Sequence, residues 1–358
     1  MTGTTPTIIR IDSADAFHRG LSRGLATADA LRQGIEIYLD LFETSGISRA
    51  DVQKHGEQAV VATAEWSADL ANEMRGVAEG SKIPLWKIAA LNARTEILSR
   101  SVGAKPGECS TIVNAAGNPV SAQTWDWHEE LSAFWHLHEV SGTPRNFVGL
   151  TEHGILSKIG INDAGVGIML NILGHTSDRP DGVPVHLVGA RVLAEASTLA
   201  EAVEILRTAP VSTSSAITVV SPEGAVIVEL NPEGAAVLQP SDGVLLHTNH
   251  FLDPVLSTGE KLGLYDPDTQ ARYDVLVERV AAKPLPEVAL DLIPYMLSEP
   301  GDAAQLCCVP APGSVFGDRW ATLATVTLDA VARTMTVSAG SPKDVGTATT
   351  VRLVAASA

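Results

Sequence analysis

The chain has 358 residues, 45% of them hydrophobic, and 42 acidic against 25 basic side chains give it a formal charge of −17. That length supports a sizeable core, and the charge repels phosphate backbones with no basic run to reverse it locally, which argues against a nucleic-acid partner. No stretch approaches the roughly 20 apolar residues of a membrane span, and Met1-Thr2-Gly3 opens neither a basic region nor an apolar signal core, so a cytoplasmic protein without membrane association is expected.

The first part of the chain reads as helix. Ala14, Phe17, Leu21 and Leu25, then Leu31, Ile35, Tyr38, Leu39 and Phe42, recur at near-helical spacing up to a turn at Gly46. A second helix is expected over 60–77, because Ala62, Trp66, Leu70, Met74 and Val77 share a face and Gly80 follows as a stop; a third is expected over 85–98. Past Cys109 the pattern turns to short β-rich runs at 111–113, 120–124, 147–151, 155–159 and 166–170. A helix over 185–206, introduced by Pro184, precedes strands at 216–220, 225–230, 235–238 and 244–247, with Pro222-Glu223-Gly224 and Pro232-Glu233-Gly234 as turns. Helices over 268–280 and 287–297 and strands over 321–328 and 334–337 complete the chain. Helices before, between and after two sets of strands are what stacked sheets covered by helices require. No repeat or long linker divides the sequence, so one domain over 1–358 is expected.

Cys109 stands where helix gives way to sheet, between Gly107-Glu108 and Ser110-Thr111-Ile112-Val113. Cleavage of the Glu108–Cys109 bond would set a free amine beside the thiol. With an ordinary pKa of roughly 7.7–8, an α-amine is a usable general base near neutral pH. The residues around Cys109 alone leave this reading level with that of a plain buried cysteine. The other two cysteines, Cys307 and Cys308, are adjacent and suit neither a disulfide framework nor a four-ligand zinc site. His128, His136 and His138 with Glu129 and Glu130 could be read as metal ligands, but no H-E-x-x-H helix accompanies them. Neither a metal nor a cofactor is expected; the run from Trp125 to His138 reads instead as pocket lining or packing beneath a pocket.

Several segments in order resemble one family. They are Ala90-Leu91-Asn92-Ala93-Arg94-Thr95-Glu96, Cys109, Trp125-Asp126, Lys158-Ile159-Gly160-Ile161-Asn162-Asp163-Ala164-Gly165-Val166-Gly167 leading to Asn171, Gly182-Val183-Pro184, His247-Thr248-Asn249-His250, Thr322-Leu323-Ala324-Thr325-Val326 and Gly340-Ser341-Pro342. From about residue 60 to about 342 the chain resembles the isopenicillin-N acyltransferase family of N-terminal-nucleophile hydrolases, peptidase family C45, whose relatives include the β-alanyl-amine hydrolases. The resemblance implies an α+β fold, the four-layer αββα sandwich of those hydrolases. It also implies self-cleavage into residues 1–108 and 109–358, an αβ heterodimer from one precursor with higher assembly left open, and a small-molecule amide as substrate.

The resemblance assigns roles residue by residue. Cys109 matches the nucleophile, whose own amine would serve as base. Asp126 matches the aspartate that supports that amine, and Asn249 the active-site asparagine, a neutral N–H donor suited to an oxyanion. Trp125, Trp127, His128, Asn171 and His250 are candidate substrate-binding residues. Arg94 and Glu96, on a helix, read more simply as partners of neighbouring residues. Two departures stand out: Glu108 occupies the place where relatives have glycine, which eases a strained scissile bond, and no arginine follows Cys308, with Arg319 the nearby cation. The expected activity is cysteine amidohydrolysis of a linear, non-peptide amide through an S-acyl-enzyme. Acyl transfer from acyl-CoA to an amine is the alternative, and a non-catalytic binding protein on the same fold the reading from another class.

Overall fold

The computed structural model describes residues 6–99, 109–261 and 268–357. The helices are α1 Ala16–Thr44, α2 Arg49–Trp66, α3 Ala68–Ser81, α4 Leu85–Asn92, α5 Arg94–Leu98, α6 Val185–Glu195, α7 Leu199–Thr208 and α8 Thr269–Ala282. The strands up to the middle of the chain are β1 Ile8–Asp12, β2 Cys109–Asn114, β3 Val120–His128, β4 Trp135–Ser141, β5 Phe147–Glu152, β6 Ile159–Asn162 and β7 Gly167–Ile172. They are followed by β8 Ser215–Ser221, β9 Gly224–Asn231, β10 Gly234–Leu238, β11 Val244–His247, β12 Trp320–Asp329, β13 Thr334–Ala339 and β14 Thr350–Val354.

Eight strands form one sheet in the order β1-β4-β5-β6-β7-β8-β9-β10, and six form the other, β11-β2-β3-β12-β13-β14. The sheets face each other: β2 meets β7, and β13 meets β5 and β6. Helices α6 and α7 cover the outer face of the first sheet over β6–β9, while α8 and a 3-10 segment, Ala289–Met296, cover the second over β11, β2, β3 and β12. Alternation along β7 shows the layering, because a Cβ on Gly189 of α6 would touch Ile168 and one on Gly167 would touch Leu328 of β12. The arrangement is the expected αββα sandwich, with β2, β3, β5, β6, β7 and β8 buried along their whole length.

Local chemistry explains where elements differ from the sequence pattern. The helix expected over 60–77 is divided at Ser67, whose N–H closes α2 on Thr63 O at 2.7 Å while its hydroxyl accepts from Leu70 N and opens α3. The helix expected over 185–206 breaks at Thr198, which caps α7 by accepting from Glu201 N at 3.1 Å. The run 155–159 is mostly loop, and its strand begins at Ile159. Pro294, with no N–H to give, lies inside the segment that takes 3-10 rather than α geometry. Strands β1 and β14 were not expected; each is short and half-exposed and pairs at the edge of a sheet. Among the described residues no helix is long and apolar enough to cross a membrane.

The helical layer beside β1 is held by unusually close approach. Gly20 and Gly24 of α1 face Gly76 and Gly80 of α3; a Cβ on Gly20 would lie 1.9 Å from Glu73 O, and one on Gly76 2.0 Å from Phe17 O. In the same contact Glu73 binds Arg19 at 3.1 Å and Arg23 at 2.7 Å, and Arg23 reaches β4 through His138 Nδ1 at 2.8 Å. Gly76→Ala is therefore expected to cost roughly 2–3 kcal/mol through overpacking against backbone. A thermal midpoint equal to wild type would show that the helices part at little cost.

His136 and His138 of β4 are buried against Arg23 and His153, and burial pushes both imidazoles well below their usual range, with the neighbouring cationic groups adding to it. Unfolded imidazoles bind protons below about pH 6.5 while these stay neutral, so stability falls as pH drops below 6.5. The pair is expected to cost roughly 3 kcal/mol between pH 6.5 and 5, the slope of each group approaching about 1.4 kcal/mol per pH unit at the acid end. Melting curves across that interval should steepen in their pH dependence, and His136→Phe should remove about half of the slope this pair contributes; an identical slope in the variant would refute the assignment.

Candidate active site

Cys109 opens β2 opposite Trp125 of β3 and is 6% exposed. Its backbone is gripped from two sides. The Cys109 N–H donates to Asn249 Oδ1 at 3.0 Å, and its carbonyl accepts from Asn171 Nδ2 at 2.8 Å. Asn171 comes from β7, in the facing sheet, and its Oδ1 accepts from Thr111 Oγ1 at 2.8 Å and Gln123 Nε2 at 3.2 Å. The two sheets are thus stitched together at the cysteine by an amide spent entirely on that junction.

Asn249 follows β11. Its Oδ1 also accepts from Arg272 Nη2 at 2.9 Å, its Nδ2 donates to Ile172 O at 2.9 Å, and its own N–H donates to Thr269 Oγ1 at 2.7 Å. Two donors converge on one end of the amide and a carbonyl faces the other, so the network leaves a single way to orient the group. Asn249 thus offers Cys109 an acceptor, while one of its two amide N–H groups is engaged with Ile172 O. Arg272, fully buried on α8, also donates from Nη1 to Ser110 Oγ at 2.8 Å and from Nε to Asp268 Oδ1 at 3.2 Å. Sequence reasoning saw only a helix at this position; Arg272 emerges as a site residue because α8 packs over β2 and β11.

Asp126 lies one strand over, 1% exposed, and accepts from the hydroxyls of Thr322 and Thr124, the latter at 3.3 Å. Thr322 of β12 is opposite Asp126 at a register irregularity, accepts from Cys308 N at 2.9 Å and donates its own N–H to Cys308 O at 3.0 Å. Burial pushes the Cys109 thiol up to about 11, and the Asp126 charge adds to that. Lys158, the Asp126 backbone amide and Arg272 pull it back. With its nitrogen still an amide, Cys109 carries a protonated thiol at neutral pH.

Beneath Trp125 is a fully buried charge cluster that the sequence did not single out. Glu152 accepts from Arg94 at 2.8 Å, from Lys158 at 2.9 Å and from the Tyr38 hydroxyl, which itself accepts from Trp127 Nε1 at 2.9 Å. Arg94 stacks 3.9 Å from the Trp127 ring centre and Lys158 Nζ 4.1 Å from that of Trp125. Arg94 therefore does pair with a neighbour, while Glu96 accepts from Val185 N and Thr213 Oγ1, and burial pushes its carboxyl up to about 7.

The remaining candidates divide. Trp125 stands opposite Cys109 in the ladder, and Lys158 Nζ lies over its ring and, at 5.6 Å, over that of Trp127. His128 lies tilted against Trp320 at 4.2 Å between ring centres, held neutral by burial. His250 bonds Thr248 and Thr269 behind Asn249 and abuts Tyr273, so it supports the asparagine loop. Arg319 is bound to Glu129. A cleft of about 850 Å³ is lined by Trp135, Cys308, Val309, Leu323, Lys343 and Thr322, the residue that donates to Asp126, among others. Glu108 lies outside the described residues.

The family described as acyl-coenzyme A:6-aminopenicillanic acid acyl-transferase matches residues 113–344. Asp126, Asn171, Asn249, Arg272 and Thr322 fall within that span, and Cys109 lies just ahead of it. The 40 kDa form of acyl-coenzyme A:6-aminopenicillanic-acid-acyltransferase from Emericella nidulans is 31% identical over 187 residues, which cover 50% of this chain and 51% of that protein. The chain thus spans about half the length of the curated relative it matches. Among solved structures, penicillin V acylase from Agrobacterium tumefaciens shares 14% identity over 64% of this chain and 83% of its own, with a TM-score of 0.42. A variant of conjugated bile acid hydrolase from Clostridium perfringens shares 13% over 68% and 92%, with a TM-score of 0.43. On the match across residues 113–344, more than half of the sequence, this chain belongs to the acyl-coenzyme A:6-aminopenicillanic acid acyl-transferase family.

Proposed function

We propose that the protein is a self-processing cysteine amidohydrolase that cleaves a linear, non-peptide amide through an S-acyl-enzyme on Cys109. The observation that carries this reading is the grip on the backbone nitrogen of Cys109 by Asn249 Oδ1, itself backed by Arg272. In an ordinary thiol enzyme such a bond only satisfies a buried N–H, whereas in a self-cleaved one the same nitrogen becomes the amine that accepts the thiol proton. Asn249 then orients the amine and Asp126, close enough to raise the thiol, supports the cation it forms. The thiolate attacks the amide carbonyl, the amine delivers its proton to the departing nitrogen, and water activated by the same amine releases the acyl group. The cleft beside Thr322 and Cys308 is the proposed substrate pocket.

After cleavage, residues 1–108 and 109–358 would stay together as an αβ pair, because Tyr38 and Arg94 of the first segment end on Glu152 of the second in a site closed to water. A cytoplasmic location, with no membrane attachment, belongs to the same proposal. The match to a family described as an acyl-coenzyme A acyl-transferase supports a second reading, in which an amine rather than water takes the acyl group.

Intact mass under denaturing conditions is expected to give two chains matching residues 1–108 and 109–358, with Cys109→Ala uncut. One uncut mass for wild type, joined to no turnover of any amide, would favour a binding protein on this fold. In the cleaved enzyme Asn249→Ala is expected to lower kcat about 100-fold, the scale of a misplaced reacting group; kcat within a few-fold of wild type would remove Asn249 from the mechanism. Supplying acyl-CoA and an amine acceptor decides between the two activities: amide formed without competing hydrolysis establishes transfer.

A further inference from the structure

The base invoked above does not exist until the chain has been cut. In the intact chain the Cys109 nitrogen is an amide that donates to Asn249, with no lone pair available to take the thiol proton. The first attack therefore needs a different base. Among the described residues, the charged side chains of Asp126 on β3, Lys158 ahead of β6, Arg94 on α5 and Arg272 on α8 bear on the site. Arginine does not give up its proton in proteins. The Asp126 carboxylate accepts from two threonine hydroxyls on different strands.

Lys158 is placed differently. It is 4% exposed, with Nζ against the ring of Trp125, the residue directly across the ladder from Cys109. Opposite residues in such a ladder have Cβ atoms about 5 Å apart. Lys158 and Arg94 share the single carboxylate of Glu152, which also takes the Tyr38 hydroxyl, so one anion serves two buried cations. Burial and the Arg94 charge bring the Lys158 ammonium down to about 8, while Glu152 and Cys109 hold it up. His186 of α6 faces the same cluster and is kept neutral by burial and by both cations. A lysine of this kind is neutral in a useful fraction of molecules near neutral pH.

We propose that Lys158 is the general base of self-cleavage, taking the Cys109 thiol proton in the intact chain; the inference rests on the self-processing reading. The thiol proton moves to Lys158 Nζ, and the sulfur attacks the carbonyl carbon of Glu108. The C–N bond breaks as Lys158 returns the proton to the nitrogen, leaving a thioester between Glu108 and Cys109 and a free α-amine. Water then hydrolyses the thioester to the Glu108 carboxylate and the thiol. From that point the amine is the base and Lys158 is a neighbouring charge.

The test follows cleavage of freshly refolded full-length chain by intact mass from pH 6 to 9. The wild-type rate is expected to rise with pH to a plateau with a midpoint near 8. Lys158→Arg keeps the charge and the Glu152 contact but cannot act as base, and is expected to cleave about 100-fold more slowly or less, with an unchanged thermal midpoint. Glu152→Gln removes the group that holds the Lys158 proton and should move the cleavage midpoint to lower pH, a displacement that a purely structural role does not produce. Wild type that never cleaves would sink self-processing itself. Wild type and Lys158→Arg cleaving at equal rates, or a flat wild-type profile should the variant fail to fold, would overturn the role of Lys158 alone.

Discussion

The hydrogen bond from the Cys109 N–H to Asn249 Oδ1 is the interaction around which this site is built. It joins the first residue of β2 to the loop after β11, and the same oxygen accepts from Arg272 of α8. Three elements distant in sequence are thereby committed to one point. Removing the Asn249 amide would leave the buried Cys109 N–H without this acceptor, which costs more than the net worth of a hydrogen bond that is made. Asn171 does the matching work from the opposite sheet by holding the Cys109 carbonyl. The cysteine is thus restrained through its backbone.

The second organising feature is charge kept away from water. Glu152, Arg94, Lys158 and Tyr38 form one buried network under Trp125 and Trp127. Such a network is a weak source of stability, since desolvation offsets much of its attraction. Its physical consequence is electrostatic: in a low-dielectric setting, cations close to Cys109 alter the proton affinity of the thiol, and Asp126 opposes them from the other side. The same helix α1 that packs on α3 through these glycines carries Tyr38 to Glu152 and Arg23 to β4.

How much of this could be read from the sequence depended on how local each cause is. The alternation from helix to β-rich runs at Cys109, the Pro-Glu-Gly turns and the helix after Pro184 are properties of neighbouring residues, and the elements stand where those properties put them. Breaks at Ser67 and Thr198 escaped notice because a cap is a competition between a hydroxyl and the helical ladder, settled by the direction the chain must take next. The edge strands β1 and β14 have weak patterns of their own and exist because a sheet offers them a partner.

The sequence by itself determined the family, the order of the elements and the cysteine, aspartate and asparagines that meet at the site, because those are matters of residue type in a fixed order. Only the tertiary structure decided what the residues do to each other. It turned the Asn249 oxygen toward both Cys109 and Arg272. It brought Arg272, Thr322, Lys158 and Glu152 to the cysteine, and set His250 and His128 behind or beside the site. The physical reason is that hydrogen-bond direction and mutual electrostatics depend on separations of a few ångströms between strands and helices far apart in the chain, and no spacing along the sequence encodes them.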